Sequence, residues 1–223
     1  MRAAQALEAG GRAQPRYNYL CAPDESRQRN RPAARPRGLR LQRKRGPLAA
    51  THSLTLTPNP MTIAGTLLPE FDQEMTTTRR LLERVPTDKG PWRPHPKSFP
   101  LGHLAQLVAW MPGWIANTVR ESALDLATAP KYSFETTETL LKEFDTNVRA
   151  AREALAASKD ADYPAPWSLK HGDRVLFTAP RGTVVRTHIN HLIHHRGQLS
   201  VYLRLNNVPL PPIYGPTADE GRM

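Results

Sequence analysis

The amino-acid sequence predicts an all-α fold, a four-helix bundle with a small hairpin before the last helix. Four segments after Met61 carry apolar residues at the three- and four-residue spacing of a helix that is buried on one side. Strand-like alternation is scarce, and the connection between the third and fourth segments is long. A bundle with at least one crossover connection accounts for these observations.

The first helix is predicted over about residues 62–84, and its apolar positions are Leu67, Leu68, Phe71, Met75 and Leu82. The second begins near Ser98–Pro100, where a Ser cap and a Pro in the first turn favour a helix start, and it runs to about Val119. The short piece Glu121–Ala127 is a candidate continuation of the second helix.

The third helix is predicted over about residues 134–158, with Ser133 as its candidate N-terminal cap. After it, Trp167–Leu169 and Arg174–Phe177 flank a Gly-containing turn. Two short apolar runs around such a turn predict a small hairpin.

The charge of the chain is concentrated in residues 1–60, which hold 12 of the 31 Lys/Arg and 3 of the 20 Asp/Glu. Residues 61–223 carry the other 19 basic and 17 acidic residues and are nearly neutral. The net charge of +11 therefore arises mainly from the tail and does not indicate a nucleic-acid-binding face on the domain. Because residues 1–60 are rich in Arg, Ala and Pro and lack an apolar period, we expect a disordered basic extension.

Three interpretations of the extension are open: an organelle transit peptide, a basic arm that binds nucleic acid, and an over-extended gene start. A transit peptide would contain more Ser and an amphipathic helix. We prefer the third, because Met61 begins a stretch that resembles a natural N-terminus. The folded domain is then expected over residues 61–223.

The single cysteine, Cys21, lies in the extension, so disulfides and thiolate metal ligands are excluded from the predicted domain. Any metal ion bound there needs nitrogen or oxygen ligands. No apolar run approaches the length of a membrane span, and no secretory segment follows the first residues. We therefore expect a cytoplasmic protein that binds neither a membrane nor a specific nucleic acid.

Four of the eight histidines fall in an eight-residue window of the fourth helix, which is predicted over about residues 182–206. His191 and His195 are four residues apart, a spacing that places two imidazoles on one helix face within reach of one metal ion. The apolar stripe of this helix consists of Val185, Ile189, Leu192, Leu199 and Leu203. His188, His191 and His195 share one flank of that stripe, whereas His194 points almost opposite it and is expected at the surface or an interface.

The second helix has a similar flank, formed by His103, Trp110 and Trp114 beside its own apolar stripe of Leu104, Leu107, Val108, Met111 and Ile115. If the two flanks face each other, His103 completes a three-histidine site with an open coordination position, as in catalytic or ligand-binding metal sites. Imidazoles suit zinc, nickel and ferrous iron about equally. Trp110, Trp114, Gln198 and Tyr202 are candidate substrate-binding residues.

The alternative is that these histidines are ordinary polar residues on an amphipathic flank and that the aromatic residues belong to the core. The local density of histidines and the third histidine on another helix favour a metal site. Arg196 falls on the apolar stripe, so it needs a carboxylate partner if it is buried, and the sequence does not identify one.

The stretch Asn190–Leu199, with the sequence NHLIHHRGQL, closely resembles the last helix of the DinB-like metal-binding bundle family. Further matches are His103–Leu104, Glu121–Ala127 and the tail Val201–Glu220. The resemblance covers about residues 61–223 and none of the extension.

The resemblance implies an up-down-down-up four-helix bundle, often dimeric, that holds its metal through His103, His191 and His195. Relatives of known chemistry include S-transferases and isomerases that use low-molecular-weight thiols. The first functional hypothesis is thus a metal-dependent hydrolase or thiol S-transferase acting on small molecules, with a metal-bound water or thiolate as the reactive group. The second is a stress-associated protein that binds metal without turnover. His188 matches no ligand position of the family.

Overall fold

The computed structural model describes residues 61–221, so the predictions for residues 1–60 lie outside the described residues. The helices are α1 (Ile63–Leu82), α2 (Leu101–Arg120), α3 (Thr137–Ala157) and α4 (Arg181–Leu205). The strands are β1 (Ala123–Asp125), β2 (Pro166–His171) and β3 (Arg174–Pro180). The four predicted helices and the predicted hairpin are therefore confirmed, with small shifts at their ends.

The predicted helical continuation at Glu121–Ala127 is wrong, and the fold is mostly helical rather than all-α. α2 ends at Arg120, the next residue is extended, and Ala123–Asp125 pairs in parallel with β2. β2 pairs in antiparallel fashion with β3, so the sheet order is β1-β2-β3. Pairing with β2 gives the backbone of this short segment hydrogen-bond partners and outweighs its weak helical preference.

The start of α3 also differs from the prediction. Thr136, not Ser133, caps this helix: its hydroxyl accepts a hydrogen bond from the backbone N–H of Thr139, whose side chain accepts one from the Thr136 N–H in return. The backbone N–H of Ser133 donates instead to Gln106 Oε1 of α2 at 2.8 Å. The segment before α3 is thereby fixed to α2.

The core lies where the apolar stripes of the helices meet. Both predicted stripes are confirmed, because their members on α2 and α4 are at most 2% exposed. α2 makes its most extensive contacts with α3 and α4. The sheet covers a second, smaller core of Trp167, Leu169 and Val184. Within residues 61–221, no helix has both the length and the apolar character that crossing a membrane requires.

Arg196 is 1% exposed, and its carboxylate partner is Glu74 of α1, with Nη1 2.6 Å from Oε2. The same Nη1 donates to the Glu74 backbone carbonyl and to Thr78 Oγ1, each at 3.2 Å. Nη2 donates to the hydroxyl of Tyr214, which itself donates to Glu74 Oε1 at 2.9 Å. The C-terminal segment thus closes a buried ion pair that joins α1 to α4.

Candidate metal centre

His191 and His195 form the centre of the candidate site on α4. Their Nε2 atoms are 2.9 Å apart, and their rings are 4.6 Å apart between centroids. The four-residue spacing on an unbroken helix brings the two rings together, as the sequence predicts. Both side chains are half-buried, so each keeps part of its surface exposed to solvent.

Gln198 orients the outer ring of this pair. Its Oε1 lies 2.7 Å from His195 Nδ1, and its amide nitrogen lies 3.0 Å from His194 Nε2. With the amide donating to His194, Oε1 accepts the Nδ1 proton of His195 and leaves the Nε2 lone pair of that ring free. The Nε2–H of His191 can then donate to that lone pair.

Both rings favour the neutral form. Burial, with smaller effects of the neighbouring His195 and His194 charges, lowers the pKa of His191 to about 4. Burial also lowers the pKa of His195, although the hydrogen bond to Gln198 opposes the shift. Neutral imidazole is the form that binds a metal ion, so at neutral pH the pair is in the ligand form.

The indole of Trp114, on α2, lies against this pair and against His188. Its ring centroid is 5.8 Å from that of His188 and 6.2 Å from that of His191. His188 is 7% exposed, packs edge-on against Trp167 at 6.0 Å, and has no hydrogen-bond partner at either ring nitrogen. Burial, with a smaller effect of the His191 charge, lowers the pKa of His188 to about 3.

His103 is not grouped with the α4 pair. Its ring lies between Tyr132, at 3.8 Å and 26°, and Phe99, at 4.5 Å and 29°. Phe99 in turn approaches His195 edge-on at 6.4 Å. Burial lowers the pKa of His103. Among residues 61–221, no group of three or more His, Cys, Asp or Glu side chains is arranged to hold a metal ion.

The predicted substrate-binding residues separate into two groups. Trp114 and Gln198 contact the histidine pair. Trp110 lies four residues before Trp114 on α2, where it stacks on Tyr132 at 4.6 Å and donates from Nε1 to Glu143 Oε2 at 3.1 Å. Tyr202 packs edge-on against Trp92, with centroids 5.6 Å apart. His194 is exposed, as predicted.

The α4 pair could supply two ligands to a metal ion, whereas His103 is not grouped with the pair. An ion with tetrahedral bonds of about 2.05 Å to two imidazole nitrogens separates them by roughly 3.3 Å. The observed 2.9 Å between the Nε2 atoms of His191 and His195 needs only a few tenths of an ångström of ring movement to reach that separation. The ring of His103 is stacked between Phe99 and Tyr132 and does not form a group of three ligands with the pair.

Sequence reasoning missed Phe99 and Tyr132, which hold His103. Phe99 is four residues before His103 and directly precedes the N-cap of α2, Pro100, so this spacing was a usable signal. Tyr132 lies in the irregular connection between α2 and α3, where no periodicity predicts its position.

The family model and the solved structures that are similar to this chain point to the same family and fold. The model of the DinB family matches residues 58–222. A DinB-like protein from Bacillus cereus is similar at 22% identity with a TM-score of 0.53, covering 69% of this chain and 99% of its own. A DinB-like protein from Bacillus subtilis is similar at 18% identity with a TM-score of 0.54, covering 70% of this chain and 99% of its own.

At these identities the two structures show a shared fold alone. None of the curated proteins compared matches the chain.

Proposed function

The chain belongs to the DinB family, and on this premise we propose that it binds one divalent transition-metal ion through His191 and His195 of α4 and His103 of α2. The observation that carries the proposal is the 2.9 Å approach of the Nε2 atoms of His191 and His195. Two neutral, half-buried imidazoles that approach each other in this way could together supply two ligands to one ion.

The surroundings support a site that binds metal rather than a packed polar flank. A histidine that holds a metal ion through one ring nitrogen commonly donates the other N–H to an oxygen acceptor, which fixes the ring. Gln198 Oε1 occupies that position for His195 at 2.7 Å. The indole of Trp114 lies beside His191, with ring centroids 6.2 Å apart, and gives this ring an apolar neighbour.

The reaction class that fits best is hydrolysis of, or thiol transfer to, a small electrophile. A bound zinc, nickel or ferrous ion would acidify a water molecule or hold a low-molecular-weight thiol as its thiolate. The chain's own contribution is to orient His195 through Gln198 and to offer Trp114 as an apolar wall for the substrate.

One observation favours the second function, metal binding without turnover in a stress-associated protein. Trp110 and Tyr202, two of the four residues expected to contact a substrate, lie away from the pair and contact Tyr132 and Trp92 instead. The aromatic rings beside the pair are those of Trp114, next to His191, and Phe99, next to His195.

A homodimer is part of the proposal. On the outer side of α4, Val201 and Leu205 are each 56% exposed, and His194 is also exposed. A second copy that covers this side would bury apolar surface which otherwise faces water. Sedimentation of the full chain should then give a dimer that Val201→Lys converts to a monomer.

Metal content of the purified full chain tests the proposed function. We expect about one zinc, nickel or iron atom per chain in the wild type, and none in the His191→Ala/His195→Ala double variant. His171→Ala is the matched control, because His171 lies at the end of β2 and outside the candidate site.

Absence of metal from the wild type, even after reconstitution, would overturn the proposed function. If metal is present, turnover of a panel of electrophiles with thiols distinguishes the two functions. Turnover that is lost in the double variant indicates the enzyme, whereas inactivity across the panel indicates metal binding alone.

A further inference from the structure

A second candidate site is a cavity between α2, the connection that precedes α3, and α3 itself, here called the α2–α3 cavity. Its volume is about 220 Å³, and no histidine lines it. Pockets that hold drug-sized molecules measure about 300–1,000 Å³, so this cavity has the size for a smaller ligand. Two carboxylates, Glu135 and Glu143, and the ring of Phe134 are part of its lining.

The carboxylate of Glu143 is held in one orientation by two neutral donors. Its Oε2 accepts a hydrogen bond from Trp110 Nε1 at 3.1 Å and one from Gln106 Nε2 at 3.3 Å. Gln106 is 3% exposed, and its Oε1 accepts the backbone N–H of Ser133, so its Nε2 is the atom that faces Glu143. Within residues 61–221, Oε1 of Glu143 has no hydrogen-bond partner and can accept one from a ligand.

The two carboxylates of the cavity lack a basic partner in the part of the chain that the structure describes, where every ion pair joins other residues. Gln106 and Trp110 are neutral, so the charge of the half-buried Glu143 is hydrogen-bonded but not balanced. Charged groups that are withdrawn from water are normally paired with the opposite charge. A positively charged ligand would supply that partner.

The ring of Phe134 is fixed at the cavity by two glycines. A Cβ on Gly102 would lie 2.5 Å from its Cδ1, and a Cβ on Gly90 would lie 2.8 Å from the same atom. The backbone N–H of Gly102 donates to the Gly90 carbonyl at 3.0 Å, so the two glycines lie side by side against the ring. An aromatic ring together with a carboxylate suits an organic ammonium ion, because the ring attracts the cation and the carboxylate accepts its N–H groups.

We propose that the α2–α3 cavity binds a small organic molecule through a primary ammonium group, with Glu143 as its anionic partner and Phe134 as its aromatic one. A metal ion fits less well, because Mg²⁺ and Ca²⁺ take about six or more oxygen ligands. Among residues 61–221, no three His, Cys, Asp or Glu side chains are grouped to hold a metal ion. The proposal does not depend on the histidines of α4, since none of them lines the cavity.

The test is the binding of n-butylammonium to the full chain, measured by isothermal titration calorimetry, with n-butanol as the uncharged probe of similar length. The wild type should bind n-butylammonium saturably and n-butanol much more weakly. Glu143→Gln keeps an oxygen that accepts from Trp110 but removes the charge, and should weaken n-butylammonium binding about 10-fold or more. Phe134→Leu removes the aromatic ring and should weaken it about 2- to 5-fold.

Glu153→Gln is the matched control. It removes the same charge from α3 at an exposed residue that lies ten positions, or about 15 Å, farther along the helix. This variant should bind n-butylammonium like the wild type, and so should His191→Ala/His195→Ala. If Glu143→Gln does not fold, Glu135→Gln tests the charge requirement at an exposed residue of the same cavity, with an expected loss of about 2- to 5-fold.

Equal binding of n-butylammonium by the wild type and Glu143→Gln, equal binding of n-butanol, or the absence of saturable binding would overturn the proposal. Displacement of n-butylammonium by an equal concentration of Mg²⁺ would also overturn it and would identify the cavity as a metal site.

Discussion

Gln198 Oε1 lies 2.7 Å from His195 Nδ1, while the other nitrogen of the same ring, Nε2, contacts His191. The same amide contacts His194, so a chain of hydrogen bonds runs from an exposed histidine to the candidate ligands. This chain fixes the tautomer of His195, because its Nδ1 must carry the proton that Gln198 accepts. We therefore expect Gln198 to orient His195, a candidate metal ligand, in addition to its predicted role in binding substrate.

Replacement of Gln198 should weaken metal binding without unfolding the protein. Gln198→Leu removes the acceptor for His195 Nδ1–H, and loss of such a partner typically lowers metal affinity about 10- to 100-fold. Because Gln198 is exposed, we expect thermal stability to change little. Zinc affinity by chelator competition and unfolding by circular dichroism measure the two effects.

Gln198→Glu is the conservative control. A carboxylate accepts the same hydrogen bond and should keep the zinc affinity at or above that of the wild type. Equal affinity of the Leu and Glu variants would show that Gln198 does not orient the ligand.

The buried pair Arg196–Glu74 should depend on both partners being present. Glu74→Leu leaves the guanidinium, 1% exposed, without a counter-charge, and should lower the free energy of unfolding by about 3–5 kcal/mol. Glu74→Leu/Arg196→Met removes both charges and should be less destabilised than the single variant. Urea unfolding at constant pH measures these free energies.

Tyr214→Phe is the milder change at this network, because it removes two hydrogen bonds and keeps the ring. A loss of about 1–3 kcal/mol is expected. If the destabilisation of Glu74→Leu/Arg196→Met equals the sum of those of Glu74→Leu and of Arg196→Met, Glu74 and Arg196 are not coupled and this interpretation of the pair is wrong.

Most of the fold could be predicted because the helices are amphipathic and their apolar stripes are regular. The members of the stripe on α4, such as Ile189 and Leu192, are fully buried as expected. β1 could not be predicted, because its formation depends on pairing with β2, some 45 residues later in the chain. Three residues are too few to show the alternation of a strand, so the local sequence alone did not argue against a helix.

The candidate site was predictable to the extent that it lies on one helix. The spacing of His191 and His195 determines their approach, whereas the position of His103 depends on how α2 is packed and on Tyr132 from a loop. The partner of Arg196 was likewise hidden, since Glu74 is one of several acidic residues on α1 and only packing selects it. Contacts between elements decide these features, and helical periodicity does not describe them.

His188 should make the protein sensitive to acid. Its pKa is lowered to about 3 in the folded state, mainly by burial and further by the charge of His191, so it is neutral there while it titrates near 6.5 when unfolded. The unfolded state therefore binds more protons below pH 6.5, and stability falls as the pH decreases. Between neutral pH and pH 5 the loss from this residue is about 2 kcal/mol.

His188→Leu should remove this part of the pH dependence, measured as the difference in unfolding free energy between pH 7 and pH 5. The variant also eliminates two buried ring nitrogens that have no hydrogen-bond partner, so its stability at pH 7 should equal or exceed that of the wild type. His95→Leu is the control, because His95 is exposed. An unchanged pH difference in His188→Leu would contradict the burial argument.

Gly102 and Gly197 should respond in opposite directions to the same substitution. In Gly102→Ala the new Cβ would lie 2.5 Å from Phe134 Cδ1, and such overpacking costs about 1–3 kcal/mol, more than the helical preference of Ala returns. Around Gly197 nothing lies within 4 Å of the added Cβ, so Gly197→Ala should stabilise α4 by about 0.5–1 kcal/mol. Urea unfolding of the two variants shows whether each change raises or lowers the free energy of unfolding.

Phe134→Leu should relieve part of the Gly102→Ala defect, because the smaller side chain leaves room for the methyl group. If Gly102→Ala is as stable as the wild type, Phe134 moves freely and the connection before α3 is less tightly held against α2 than its contacts indicate.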